Sequence, residues 1–127
     1  MRKLKVGIIG VGNIARFHMP GWAKSEHAEV VAAADVNEKV LKNWGEKNNI
    51  NKLYTNPFDL INDIDIDIID ICAPNNYHSD LVIQSLKSGK HVLCEKPLAP
   101  TYQEIEEMID VRDKYNKKLM CAQHFRF

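Results

Sequence analysis

The stretch Gly10-Val11-Gly12-Asn13-Ile14-Ala15 follows the spacing G-x-G-x-x-A. Gly10 permits a tight turn, Gly12 lets a pyrophosphate approach the main chain, and Ala15 lets a helix pack closely on a sheet. A helix opening at Asn13 and Ile14 would turn unpaired N–H groups and a positive dipole end towards phosphate. About 20 residues further on stands an acid, Asp35, at the distance expected of a ribose acceptor. Its carboxylate suits a free ribose diol and repels a 2′-phosphate, so NAD is preferred over NADP. No arginine follows Asp35 closely, and Lys39 is the chief residue that speaks for NADP.

Two further stretches carry polar residues straight after apolar runs. In Ala73-Pro74-Asn75-Asn76-Tyr77-His78, Pro74 restricts Ala73 to an extended shape, and the asparagines favour a turn. This loop is expected beside the nicotinamide half of a dinucleotide. His78 opens the next helix, where it either touches ligand or caps and packs. In Glu95-Lys96-Pro97 an apolar strand delivers two opposite charges and a proline in a row. A turn needs neither charge, and an exposed ion pair would be worth under about 1 kcal/mol. Gln123 and His124 end the last apolar run. His18 reads as a packing or surface residue, and His27 and His91 as solvated or structural.

The elements that must position these residues alternate in period. Lys5–Gly10 and Glu29–Asp35 read as strands, and Asn13–Ser25 as a helix that Pro20-Gly21 would kink or break. Asn37 caps a helix with Val40, Leu41 and Trp44 on one face. A short strand near Lys52–Thr55 and a helical turn from Asn56-Pro57 to Leu60 follow. Asp65–Cys72 is isoleucine-rich, as expected of a strand covered on both faces. Leu81, Val82 and Leu86 mark a helix that Gly89 ends, and His91–Cys94 is a strand. Thr101 and Glu104 form a capping box, with Ile105, Met108 and Ile109 lining the helix behind it. Lys118–Phe125 closes the chain as a strand. Strands alternating with helices imply right-handed crossovers and an α/β, doubly wound, mainly parallel Rossmann sheet with helices on both faces. The residues named above then gather on one rim, at the carboxyl ends of the strands.

The 127 residues predict a single dinucleotide-binding domain spanning 1–127. Lysine plus arginine equals aspartate plus glutamate, at 17 each, which speaks against nucleic-acid or membrane-surface partners. No run approaches the length of a membrane span, and Met1-Arg2-Lys3 leads into no signal peptide. Cys72, Cys94 and Cys121 match neither a disulfide framework nor a metal clip, so no metal is expected. They read as small apolar residues in buried strands of a cytoplasmic protein.

The fingerprint with its following Phe17-His18, the strand ending in Asp35, Pro74-x-x-x-His78 and above all Glu95-Lys96-Pro97 resemble one family over the whole chain. It is the glucose–fructose oxidoreductase / inositol dehydrogenase (Gfo/Idh/MocA-type) family of NAD(P)-dependent oxidoreductases. The resemblance implies that Lys96 is catalytic, standing beside the nicotinamide and the substrate hydroxyl. It implies that Glu95 contacts the nicotinamide ribose and that Pro97 fixes the turn. It also implies hydride transfer between the nicotinamide and a hydroxyl-bearing carbon of a sugar, cyclic polyol or related carbohydrate. Family members carry a second domain that supplies much of the sugar pocket and builds a homo-oligomer. No such domain is read in this chain, which is therefore expected to be a truncated piece, inactive alone and monomeric or weakly dimeric. Relatives that use the same architecture as nucleotide sensors or transcriptional co-regulators supply the alternative. A flavin or coenzyme A site on the same crevice is disfavoured by Asp35.

Overall fold

The fold is taken from a computed structural model, which describes residues 3–73, 78–95 and 102–122. Of the side chains within these spans, those of Asn13, Ile14, Phe17, His78, Glu95, Cys121 and Ala122 are not described. Strands and helices alternate as β1 (Leu4–Ile9), α1 (Asn13–Lys24), β2 (Ala28–Ala34), α2 (Glu38–Asn48), β3 (Lys52–Tyr54), α3 (Pro57–Ile61), β4 (Ile68–Ile71), α4 (His78–Lys87), β5 (His91–Glu95), α5 (Tyr102–Tyr115) and β6 (Leu119–Ala122). The strands form one six-stranded sheet in the order β3-β2-β1-β4-β5-β6. Every neighbouring pair is parallel.

Alternation along the strands feeds two cores. Ile8 of β1 and Ala33 of β2 turn to one face, where Ala15 of α1, Leu41 of α2 and Cys72 meet them. Ile9 and Ala34 turn to the other, with Leu60 of α3, Leu81 and Leu86 of α4 and Met108 of α5. Near-continuous apolar strands are what a sheet buried on both faces requires. Helix starts follow local chemistry. The Asn37 side chain accepts the Val40 N–H at 3.1 Å, and Asn56 accepts the Phe58 N–H at 2.9 Å ahead of Pro57.

The structure departs from the sequence expectations at a few places. Helix α1 runs on through Pro20 to Lys24, so of the two alternatives expected at Pro20-Gly21 the break is not met. Strand β4 begins only at Ile68, because Asp63, Asp65 and Asp67 hold a turn before it. There the Asp65 N–H donates to Asp63, and the Lys5 N–H donates to Asp67 at 2.8 Å. Ile109, in the middle of α5, is 36% exposed and does not line the core. The expected capping box at Thr101 lies outside the described residues.

Candidate dinucleotide site

The chain leaves β1 towards β2 and returns to β4 on the other side of β1, so a crevice opens above the carboxyl end of β1. In open α/β sheets ligands bind at this reversal of strand order. Gly10 closes β1 by donating its N–H to the Ala34 carbonyl at 2.8 Å, and Cys72 donates to the Ile9 carbonyl at 2.7 Å. The ends of β1, β2 and β4 are thereby laced into one rim. Gly10 has φ +88°, and a Cβ there would meet Ala73 N and Cys72 C and O at 2.9 Å. Only glycine lets the turn pass so close to the end of β4. Gly12 differs, for a Cβ on it would meet nothing within 4 Å. Among the described residues nothing fills the space over Gly12, as the approach of a pyrophosphate would require. Ala15 is fully buried, which lets α1 lie close to the sheet.

Asp35 follows β2, and both its carboxylate oxygens are committed to main-chain donors. Oδ2 accepts the Val11 N–H at 3.0 Å, inside the glycine-rich loop, and Oδ1 accepts the Asn37 N–H at 2.9 Å. The Asp35 N–H in turn donates to the Tyr54 carbonyl at 3.1 Å. Each carboxylate oxygen retains a lone pair for a hydroxyl. A cleft of about 500 Å³ beside it is lined by Gly10, Asp35, Val36, Phe58, Ala73 and Asp80, among others. Val36 is 82% exposed there, an apolar side chain that its own fold leaves uncovered. Val36, Phe58 and Asp80 were not anticipated from the sequence. An exposed valine straight after the ribose acid, and an aromatic straight after a helix-opening proline, are the signals that mark the first two.

Of the expected site residues, Gly10, Gly12, Asp35 and Ala73 thus share one rim. Asn13 and Ile14 open α1, His78 opens α4, and Glu95 ends β5, which runs in register with β4 as Ile71↔Cys94. Pro74, Asn75, Lys96 and Gln123 lie outside the described residues. His91 is structural as expected, since its Nδ1 accepts the Lys118 N–H at 3.1 Å; burial pushes its pKa down.

His18 is neither a surface nor a merely packing residue. Its side chain is 8% exposed, and its Nδ1 lies 2.8 Å from both oxygens of Asp70, which is fully buried on β4. Trp22 Nε1 donates to the same carboxylate at 2.8 Å, and Cys72 Sγ stands 3.6 Å from it. Cys72 is therefore in polar company, and Cys94 is buried within the larger core. The ligand atoms of His18, Asp70 and Cys72 all lie within 4.8 Å of one another. Two ligands around a tetrahedral zinc stand roughly 3.3 Å apart or more, given bonds of about 2.0–2.1 Å. The shorter nitrogen–oxygen approach is that of a hydrogen bond. The sequence signal missed was an aspartate within an apolar strand covered on both faces, which must find a partner.

The fold and this rim define a doubly wound dinucleotide-binding domain. The chain belongs to the Gfo/Idh/MocA family: residues 4–123 match the model described as "Oxidoreductase family, NAD-binding Rossmann fold". It is 35% identical over 124 residues to myo-inositol 2-dehydrogenase of Thermotoga maritima, covering 98% of this chain and 37% of that protein. It is 31% identical over 125 residues to D-glucoside 3-dehydrogenase of Escherichia coli, covering 98% and 36%. Among solved structures it is similar to scyllo-inositol dehydrogenase from Lactobacillus casei with bound NAD(H) and scyllo-inositol. That match has a TM-score of 0.88 and 28% identity, over 95% of this chain and 36% of the other. An oxidoreductase from Agrobacterium radiobacter in complex with NAD+, L-tartaric acid and magnesium superposes with a TM-score of 0.93 at 27% identity, over 98% and 36%. The chain thus spans little more than a third of the length of these relatives.

Proposed function

We propose that this chain is the NAD-holding part of an oxidoreductase acting on a hydroxyl of a sugar, cyclic polyol or related carbohydrate. The observation that carries the reading is Asp35, fixed against the glycine-rich loop at the reversal of strand order. Asp35 would accept the adenosine ribose hydroxyls, with Val36 and Phe58 walling the adenine side. Gly10, Gly12 and the first α1 main-chain groups at Asn13 and Ile14 would hold the pyrophosphate. Ala73, Pro74, Asn75, His78, Glu95, Lys96 and Gln123 would serve the nicotinamide end. Bound nicotinamide supplies the two-electron exchange that no side chain offers. Lys96 would hold and move the proton of the substrate hydroxyl. Its ordinary pKa of about 10.4 must be lowered by desolvation or a cationic neighbour for that task.

NAD is the preferred partner over NADP, because the Asp35 charge stands where a 2′-phosphate would lie. Asp80 adds a second carboxylate to the same cleft. Relatives that extend well beyond this span supply the case that the substrate pocket and the homo-oligomer contacts need further chain. Residues 1–127 alone would then be a monomer or weak dimer without turnover. Among the described residues no helix is long and apolar enough to cross a membrane. Cys72 and Cys94 are buried among the residues of the two cores, a placement that suits a cytoplasmic protein.

Calorimetric titration with NAD+, NADH and NADP+ tests the reading. NAD should bind and NADP+ should bind more weakly; the reverse order, or no binding, overturns it. A screen with inositols and hexoses should give negligible turnover, and robust turnover would overturn the need for further chain.

A further inference from the structure

We propose that His18 and Asp70 are positioning residues for the nucleotide, stapling α1 across its own proline so that its first turn stays aimed at the cleft. This rests on the nucleotide-binding reading above. Helix α1 carries Pro20 in its interior, followed by Gly21. Pro20 has no N–H, so the Arg16 carbonyl lacks its helical donor, and the ring crowds that turn. The turn carrying the phosphate-facing main chain is therefore poorly braced by the helix itself.

The side chains of His18 and Trp22 lie four residues apart on one face, one on each side of Pro20. Both reach the carboxylate of Asp70 at 2.8 Å. Because an ionised carboxylate only accepts, His18 donates from Nδ1, and Trp22 can only donate. One fully buried group on β4 thus receives a directional bond from each half of the helix. The surrounding contacts of Ala15, Met19 and Trp22 with Ile8, Val11 and Cys72 are apolar. Apolar contacts hold the helix down but fix its rotation weakly, since they are not directional.

Burying a carboxylate is a poor way to gain stability. Replacing such a pair by apolar groups is often neutral or stabilising. A charge placed here is better explained by what it orients. Asp70 lies two residues before Cys72, whose carbonyl carbon and oxygen crowd Gly10. The same stretch of β4 therefore sets both the loop and the helix behind it.

The test is a double-mutant cycle in the 127-residue chain, read by the Kd for NAD+ with folding checked by circular dichroism. His18→Leu keeps bulk and removes the donor, and should weaken NAD+ binding about tenfold, the order expected for a lost hydrogen bond to a charged group. His18→Asn places an N–H at the Nδ1 position and should stay within about twofold of the unaltered chain. Pro20→Ala restores the helical donor, so in that background His18→Leu should cost about threefold or less. That background also keeps the comparison open where His18→Leu alone does not fold, because removing an interior proline stabilises a helix; Asp70→Asn then supplies the single-variant loss. An equal loss from His18→Leu with and without Pro20 overturns the proposal, as does His18→Asn binding as poorly as His18→Leu. Failure of the unaltered chain to bind NAD+ overturns the underlying reading as well, whereas normal binding by every variant overturns this proposal alone.

Discussion

The two glycines of the fingerprint should fail for different reasons when each is replaced by alanine. At Gly10 the φ of +88° is one that a side chain tolerates poorly, and the new Cβ would press on three main-chain atoms at 2.9 Å. The left-handed conformation costs roughly 1–2 kcal/mol, and overpacking against backbone adds about 1–3 kcal/mol. Gly10→Ala should therefore lose about 2–4 kcal/mol of stability after partial relaxation, lowering Tm by roughly 8–15 °C for a chain of this size. Against a total of about 5–15 kcal/mol this is a severe loss. At Gly12 a Cβ meets nothing, and φ is −85°. Its loss as a helix N-cap should cost under about 1 kcal/mol. On the proposed reading Gly12→Ala puts a methyl group where the pyrophosphate would lie, so NAD affinity should fall at least about tenfold. Urea denaturation gives the first quantity for both variants, and calorimetric titration below both transitions gives the second. Equal destabilisation by the two changes would refute the steric argument. Unimpaired NAD binding by Gly12→Ala would refute the assignment of the open space to the ligand.

Asp35→Ala should lose NAD affinity and also free the Val11 amide, read as faster hydrogen exchange at Val11 without nucleotide; unchanged exchange would show that the 3.0 Å bond is not formed in solution. Burial pushes the Asp63 carboxyl up, but hydrogen bonds from Lys52, the Asp65 N–H and Tyr54 outweigh it and hold its pKa at about 2. A depressed carboxylate stabilises the fold above its unfolded value near 3.8, and the contribution is lost as pH falls towards 2. With Lys52 40% exposed and screened, it should be on the order of 1–2 kcal/mol. Asp63→Asn should thus lower Tm at pH 7 and hardly at all at pH 2, and an equal loss at both would refute the account. Buried Lys90 donates to the Asp63 and Ile66 carbonyls at 2.5 and 2.7 Å, at the amino ends of the strands. Lys90→Met should cost about 1–3 kcal/mol by leaving those carbonyls unpaired, while NAD affinity in the folded protein stays unchanged; a fall in affinity would refute the separation of the two ends.

The parts of this fold legible in the sequence are those decided by nearby residues. Asn37 and Asn56 announce their helices because each cap is a bond to a main-chain N–H two or three residues away. The strands announce themselves because a sheet covered on both faces needs apolar side chains at every position. The trimmed start of β4 was hidden because Asp65 and Asp67 alternate with isoleucines as strand residues would. Their amides and carboxylates are instead drawn into a turn by Asp63 and by Lys5 of β1. The His18–Asp70 contact joins residues 52 apart, and no local pattern selects that partner. Pro20 and Gly21 leave a kink and a break equally open when a helix is considered alone, whereas α1 is held from outside by the strand beneath it and continues to Lys24.

On the proposed reading, the fingerprint is only part of what would make the phosphate site. Two aspartates, from the strands on either side of β1, hold the segment that β1 feeds. Asp35 beside β2 takes the Val11 N–H, and Asp70 on β4 takes Nδ1 of His18 and Nε1 of Trp22. Both carboxylates accept hydrogen bonds from the segment they hold, and each oxygen of Asp35 keeps a lone pair for a further hydroxyl. A glycine-rich turn without those two acceptors would have the right φ angles and the wrong aim. By the same reasoning cofactor choice and loop shape are coupled, because the group that disfavours a 2′-phosphate is also the group that pins Val11. A change of Asp35 that admits the extra phosphate must also supply a new acceptor for that amide, or it loosens the cradle it was meant to retune.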